Sequence, residues 1–318
     1  MHIPDAVLDP ATCAVTAALS AGAVGYAVRR VNRELPESAI PLMGVTAAAV
    51  FAAQMLNFPI PGGSSGHFLG GVLAAVLLGP WAGMLVMTVV LVVQCFMFQD
   101  GGMAALGANV LNMAVVGSGA GYAIYNTVRR RIGGLRGTVA GAVIASWFAC
   151  LAGAALCSVE LAAGGVYPLG PALGAMLLSH SLIGLGEAAI TGLALGFILK
   201  TRPDLVYGAP RRESTPSRAG EILVAGLVLA VTLAAFGAPL ASRLPDGLEA
   251  SLAQMGWSDE HATPWISAPM PDYEIKPLAP LGIAGSVAGV IGTLTVFAIA
   301  YGLARHWPVH DSRKHIAH

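Results

Sequence analysis

Apolar residues run along this chain in eight long blocks, near residues 12–28, 39–57, 67–98, 104–128, 138–159, 171–199, 221–240 and 280–304. Each is long enough to carry a helix across roughly 30 Å of hydrocarbon. The 32 residues of 67–98 admit either one long tilted helix or two short ones broken at Gly79-Pro80. Proline there removes a backbone donor and disfavours helix in the residue before it. The positions of the basic residues separate the two readings. With two spans in that block, Arg29, Arg30 and Arg33, then Arg129 to Arg131 and Arg136, then Lys200, Arg202, Arg211, Arg212 and Arg218, and finally Arg305, Arg313 and Lys314 fall on one side. These are 15 of the 17 Lys and Arg residues, with only Arg243 and Lys276 opposite. A single span would split the 29–33 and 129–136 clusters between the two faces, against the positive-inside bias. The pattern therefore predicts nine spans, with the N-terminus outside and the C-terminus in the cytoplasm.

Composition agrees with a membrane protein. Of 318 residues 56% are hydrophobic and only 11% charged, with a mean hydropathy of +0.72, whereas a soluble domain carries about 25% charged residues. Forty glycines suit the small-residue contacts by which membrane helices approach one another. The net charge of zero gives no argument for nucleic acid or an anionic partner. Cys13, Cys95, Cys150 and Cys157 stand singly in apolar runs and read as small packing residues. Residues 1–12 lack the basic start of a cleaved signal, so Met1 is expected to persist.

The expected fold is an all-α integral membrane protein in two parts. Residues 1–200 form a seven-span bundle. A Pro-, Arg- and Ser-rich stretch, 201–219, reads as a cytoplasmic linker. Residues 220–318 form a two-span hairpin with an outer loop, 241–279, and a His-containing cytoplasmic tail. No internal repeat is visible, so symmetry does not suggest an inverted-repeat transporter.

Candidate chemistry concentrates at the outer end. His2 and His67 fall on the same side by span parity. A histidine at position 2 offers the α-amine of Met1, its own backbone amide nitrogen once deprotonated, and its imidazole. Together these close fused five- and six-membered chelate rings and hold three nitrogens roughly in one plane. His67, in a Gly/Ser-rich stretch that lets backbone approach, would complete an N4 square, the geometry preferred by Ni(II) and Cu(II) and disfavoured by tetrahedral Zn(II). An ordinary terminal histidine is the competing reading, and both stay open on these residues alone. Pro4 and Asp5 would stiffen and anchor such a hook, or mark a helix start, for which Asp9-Pro10 is an equal candidate.

Other polar residues sit deeper. His180 and Glu187 lie two helical turns apart on one face of an apolar run, as a proton relay, a second metal site or a buried polar pair. Gln54, Asn57, Gln94, Asp100, Asn109 and Asn112 cluster near the outer ends of neighbouring spans, as a pocket lining or as inter-helix hydrogen bonds. His261 lies in the outer loop, and His306, His310, His315 and His318 lie in the tail. No phosphate-binding loop or HExxH is present, so no ATPase or metalloprotease chemistry is expected of this chain.

Several segments resemble one family. Met1-His2-Ile3-Pro4-Asp5, Asn57-Phe58-Pro59, Ser65-Gly66-His67, Asp100-Gly101-Gly102, Gly107-Ala108-Asn109 and the His180 to Glu187 stretch are similar to the CbiM/NikM substrate-binding components of energy-coupling-factor transporters for cobalt and nickel, over about residues 1–200. Residues 221–304, with Pro245-Asp246-Gly247-Leu248-Glu249 and Pro271-Asp272-Tyr273, resemble the ancillary NikN/CbiN component, here fused behind it. The resemblance implies a seven-helix membrane subunit that takes up Ni(II) or Co(II) as cargo from outside a prokaryotic cell membrane. By motif, its ligands are Met1, His2 and His67, and Asp5, Asn57, Ser65, Gln94 and Asn109 are supporting or pocket residues. It further implies a separate membrane coupling subunit and cytoplasmic ATPases as partners, and no cofactor. This chain departs at Ala6, where the family usually has glycine; if the position needs a positive φ, alanine costs about 1 kcal/mol. The acidic outer loop, with Asp246, Glu249, Asp259, Glu260, Asp272 and Glu274, either gathers cations or is simply solvated. The alternative function is a self-sufficient ion-coupled transporter or channel using His180, Glu187 and Glu160, for which a proton gradient alone would drive uptake.

Overall fold

The computed structural model describes residues 1–165, 167–209, 216–256 and 265–306. Six described helices are long and apolar enough to cross a membrane: Pro10–Glu34, Pro80–Phe98, Gly134–Ala163, Leu169–Thr201, Gly220–Leu240 and Ala284–His306. We label the elements α1 (Pro10–Glu34), α2 (Ile40–Gln54), α3 (Gly71–Leu78), α4 (Pro80–Val93), α5 (Leu106–Asn109), α6 (Gly121–Ile132), α7 (Gly134–Ala163), α8 (Leu169–Thr201), α9 (Pro216–Gly237), α10 (Gly247–Gln254) and α11 (Ala284–His306). A π-helical segment, Val110–Ala120, joins α5 to α6. One antiparallel hairpin, β1 (Phe58–Ile60) with β2 (Ser64–Gly66), pairs Phe58 with Gly66.

Helix α1 starts where sequence chemistry allows two choices, and Asp9-Pro10 is the one used. The Asp9 carboxylate accepts from Ala11 N (2.9 Å) and Thr12 N (3.2 Å), and Pro10 stands at the first turn, where its missing N–H costs nothing. Pro4 and Asp5 are thereby left to the segment before the helix.

The block 67–98 breaks at Gly79-Pro80 as expected, but its first piece corrects the expectation of a full span. Helix α3 has eight residues, about 12 Å, less than half a membrane. Residues 67–70 before it are buried loop. Non-helical backbone is tolerated at such a place only when protein satisfies it, and Glu187 of α8 does so: its carboxylate accepts from Leu69 N (2.6 Å) and Gly70 N (2.9 Å). Gly79 turns the chain into α4 with φ +86°, a conformation natural to glycine. Against it lies the Tyr207 ring, and the backbone N–H of Tyr207 donates to the Val76 carbonyl (2.9 Å).

The basic ends of α1 and α6 lie at one end of the bundle. Arg30 lies over the Trp81 ring (5.9 Å), Tyr26 meets Trp81 edge-on, and Tyr207 meets Tyr122, so the end of α1, the α3–α4 break, α6 and the chain after α8 adjoin. Met1, His67 and Asp100 lie together elsewhere, with the second part of the chain reaching them from above α2. Helices α9 and α11 pack on α2, where Gly292 lets Phe51 and Phe98 fill the space a Cβ would take.

Candidate metal centre

Residues 1–7 are not helical; they form a buried hook across the bundle. Main-chain bonds hold it. Asn109 accepts from Ile3 N (2.7 Å) and donates to Ile3 O (3.1 Å), and Gly102 N donates to the same carbonyl (2.8 Å). Asp5 accepts from Ala104 N (2.9 Å) and Trp265 N (3.3 Å). Gly102 lies flat against Asp5, and a Cβ there would collide with the Asp5 backbone. The chain then turns at Ala6, whose φ of +66° is the left-handed conformation that alanine adopts at a cost of about 1–2 kcal/mol. Ala6 is exposed. The variant Ala6→Gly is expected to raise the melting temperature of the purified protein by about 2 °C, because the hook then turns without that strain.

The hook delivers its amine to His67. Met1 N lies 2.8 Å from His67 Nε2. His67 Nδ1 donates to the Phe68 carbonyl (3.1 Å), which leaves Nε2 as the lone-pair nitrogen facing the amine. The two imidazoles stack, with centroids 5.0 Å apart. His2 Nε2 faces Gln94 Oε1 (3.2 Å), while Nδ1, the nitrogen a position-2 chelate uses, faces the Asp100 carboxylate. The Gln94 amide is itself oriented by donating to the Tyr273 hydroxyl (3.1 Å), which donates to Asp100 Oδ2 (2.5 Å), while Asp100 Oδ1 stands 3.0 Å from His2 Nδ1.

Sequence reasoning treated Asp246 as one acid among several in the outer loop. In the structure it is largely buried, with Oδ2 2.9 Å from the Met1 amine. Burial disfavours charge on both groups. Their mutual attraction outweighs it, so the Asp246 carboxyl is held well below the usual carboxylate range and the amine is raised above its ordinary value. Burial, together with the neighbouring ammonium, pushes His67 down to about 3, so its ring is neutral and accepts from the amine. Asn57 and Ser65 dock the loop that carries Asp246. The Asn57 carbonyl accepts from Ser242 N (2.7 Å), and Ser65 donates from its hydroxyl to Leu244 O (2.7 Å) and from its N–H to Pro245 O (2.8 Å). Only the turn of Pro245-Asp246-Gly247, as a motif, hinted at this approach; Tyr273 had its motif noted and no role read from it.

His180 and Glu187 share the buried face of α8 but do not bond to each other. His180 donates to the Met176 carbonyl (2.9 Å), Glu187 holds the loop before α3, and Glu160 accepts from Asn112 (2.7 Å). Gln54 donates to Leu69 O (2.6 Å) as part of the same buried bracing. Among the described residues no three His, Cys, Asp or Glu side chains are grouped to cage a metal. The nitrogens that meet here are the Met1 amine and His67 Nε2. His261, Asp259, Glu260 and the tail histidines after His306 lie outside the described residues.

A family model described as the cobalt uptake substrate-specific transmembrane region matches residues 2–205, and a PDGLE domain model matches residues 220–307. A putative fused nickel transport protein NikMN of Archaeoglobus fulgidus is 38% identical over 96% of this chain and 99% of its own length. The fused nickel transport protein NikMN of Rhodobacter capsulatus is 38% identical over 74% of this chain and 72% of its own. A crystal structure described as a truncated transition metal transporter superposes with a TM-score of 0.57 at 35% identity, over 63% of this chain and 99% of that one.

Proposed function

Since the chain belongs to the cobalt-uptake substrate-specific transmembrane family of nickel and cobalt transport proteins and carries a PDGLE domain behind that region, we propose that it captures Ni(II) or Co(II) as cargo in an N4 site at its outer end. The donors are the Met1 amine, the His2 amide nitrogen, His2 Nδ1 and His67 Nε2. One observation carries this reading. In a square of metal–nitrogen bonds of about 2 Å, adjacent donors stand about 2.8 Å apart, and the fourth corner of the position-2 chelate is adjacent to the amine. His67 Nε2 stands 2.8 Å from that amine with its lone pair toward it.

The remaining parts of the reading extend this. Residues 1–200 form the capturing bundle, 201–219 the cytoplasmic linker, and 220–318 the appended module, whose loop closes over the site. By the positive-inside bias the basic end faces the cytoplasm, so the hook faces outward in a prokaryotic cell membrane. The sequence has no phosphate-binding loop, so ATP is hydrolysed by partner ATPases, linked through a membrane coupling subunit that reorients the bundle.

Titration with Ni(II) is the test. A yellow, diamagnetic complex is expected, the signature of square-planar d8 nickel. It should weaken on acidification, because amine and amide must both lose protons to bind. A paramagnetic complex at neutral pH would overturn the N4 assignment.

A further inference from the structure

Asp246 divides its two oxygens between two tasks. Oδ1 caps α10, accepting from Leu248 N and Glu249 N (2.8 Å each), while Glu249 returns a bond to Asp246 N (2.9 Å). Oδ2 takes no part in the cap and points at the hook. It lies 2.9 Å from Met1 N and 4.0 Å from His67 Nε2, which itself lies 2.8 Å from Met1 N. A triangle with these sides has close to a right angle at the amine. The three atoms therefore mark three corners of a square, and a point about 2 Å from each, the usual metal–nitrogen and metal–oxygen distance, lies at its centre. A small pocket borders them, lined also by His180 and Gly247.

We infer that Asp246 is itself a metal ligand, which holds the incoming ion opposite His67 during capture. The inference rests on the N4 reading above. In that square the corner opposite His67 belongs to the His2 amide nitrogen, so carboxylate and amide serve the same position in succession. An amide gives up its proton only to an ion already anchored beside it. The sequence of bonds follows: the hydrated ion loses waters to the amine, His67 and Asp246, and the amine's proton leaves to solvent. His2 Nδ1 takes the remaining corner, and the amide nitrogen then loses its own proton to solvent and forms the bond that replaces the Asp246 oxygen. The same triangle lets an ammonium donate to two acceptors, and the ion takes over those two acceptors when that proton departs.

Stopped-flow mixing of Ni(II) with the full chain in detergent tests this, using Asp246→Asn. Asparagine is as good a helix cap as aspartate, so α10 and the loop are retained; should the variant melt below the parent, Asp246→Ser, another capping residue, replaces it. Complex formation is expected to slow at least tenfold, with final affinity within threefold of the parent, since all four nitrogens remain. The deficit should persist at about 0.5 M salt, where attraction of the ion from a distance is screened. Formation at the parent's rate, or a deficit that vanishes in salt, would overturn ligation by Asp246. Failure of the N4 site itself has a different signature, in which His67→Ala leaves both rate and affinity unchanged.

Discussion

His2→Phe lowers nickel affinity by about 1000-fold, some 4 kcal/mol. The ring bulk and every other donor of the site are still present, yet the six-membered ring is lost, and the amide nitrogen, no longer flanked by two anchoring donors, keeps its proton. The hook is pinned downstream, at Ile3 by Asn109 and Gly102 and at Asp5 by Ala104. The amine therefore stays packed at 2.8 and 2.9 Å from His67 and Asp246. The bundle, which does not depend on residue 2 for its helices, should fold as before. Equilibrium titration of the purified protein reads the result, and near-parental affinity in this variant would show that the chelate is not how the ion is held.

His67→Ala comes next in size, with about a hundredfold loss. Three nitrogens remain after this change, so binding weakens rather than disappears, and the fourth corner passes to water. Removing even a partner that merely orients a ligand costs 10- to 100-fold in other metal sites, and His67 supplies the donor itself. The nickel spectrum should shift at the same time, because a water oxygen gives a weaker field than an imidazole nitrogen. An unshifted spectrum with unchanged affinity would assign the fourth corner elsewhere. The ring is buried and accepts from the amine, so a melting curve recorded alongside separates lost packing from lost ligation.

The elements of this fold that hydropathy could read are those whose burial by lipid demands an unbroken apolar run. Helices α1, α7, α8, α9 and α11 follow that rule, and Gly79-Pro80 breaks where proline and a positive φ require it. The block beginning at His67 misled because a loop buried inside protein is as apolar as a helix. Its backbone is satisfied by Glu187, 118 residues from Leu69 in the chain, and no local pattern marks such a partner. The proposed chelate can be written from sequence because its donors are consecutive, with Met1 and His2 fixing the ring sizes covalently. Asp246, Tyr273 and Asp100 were not assigned to it, since they arrive through tertiary packing of the second part. The spacing of His180 and Glu187 correctly implied a shared face, but spacing says nothing of partners, and each satisfies a different backbone segment.

The docking of Asp246 through Ser65 and Asn57 has a consequence for how the protein is inherited and expressed. A loop that belongs to the same polypeptide meets its target at an effective concentration in the millimolar range, independent of how many copies the cell makes. Splitting the gene at the linker would turn that contact into a bimolecular encounter, and capture would then depend on the abundance ratio of the two halves.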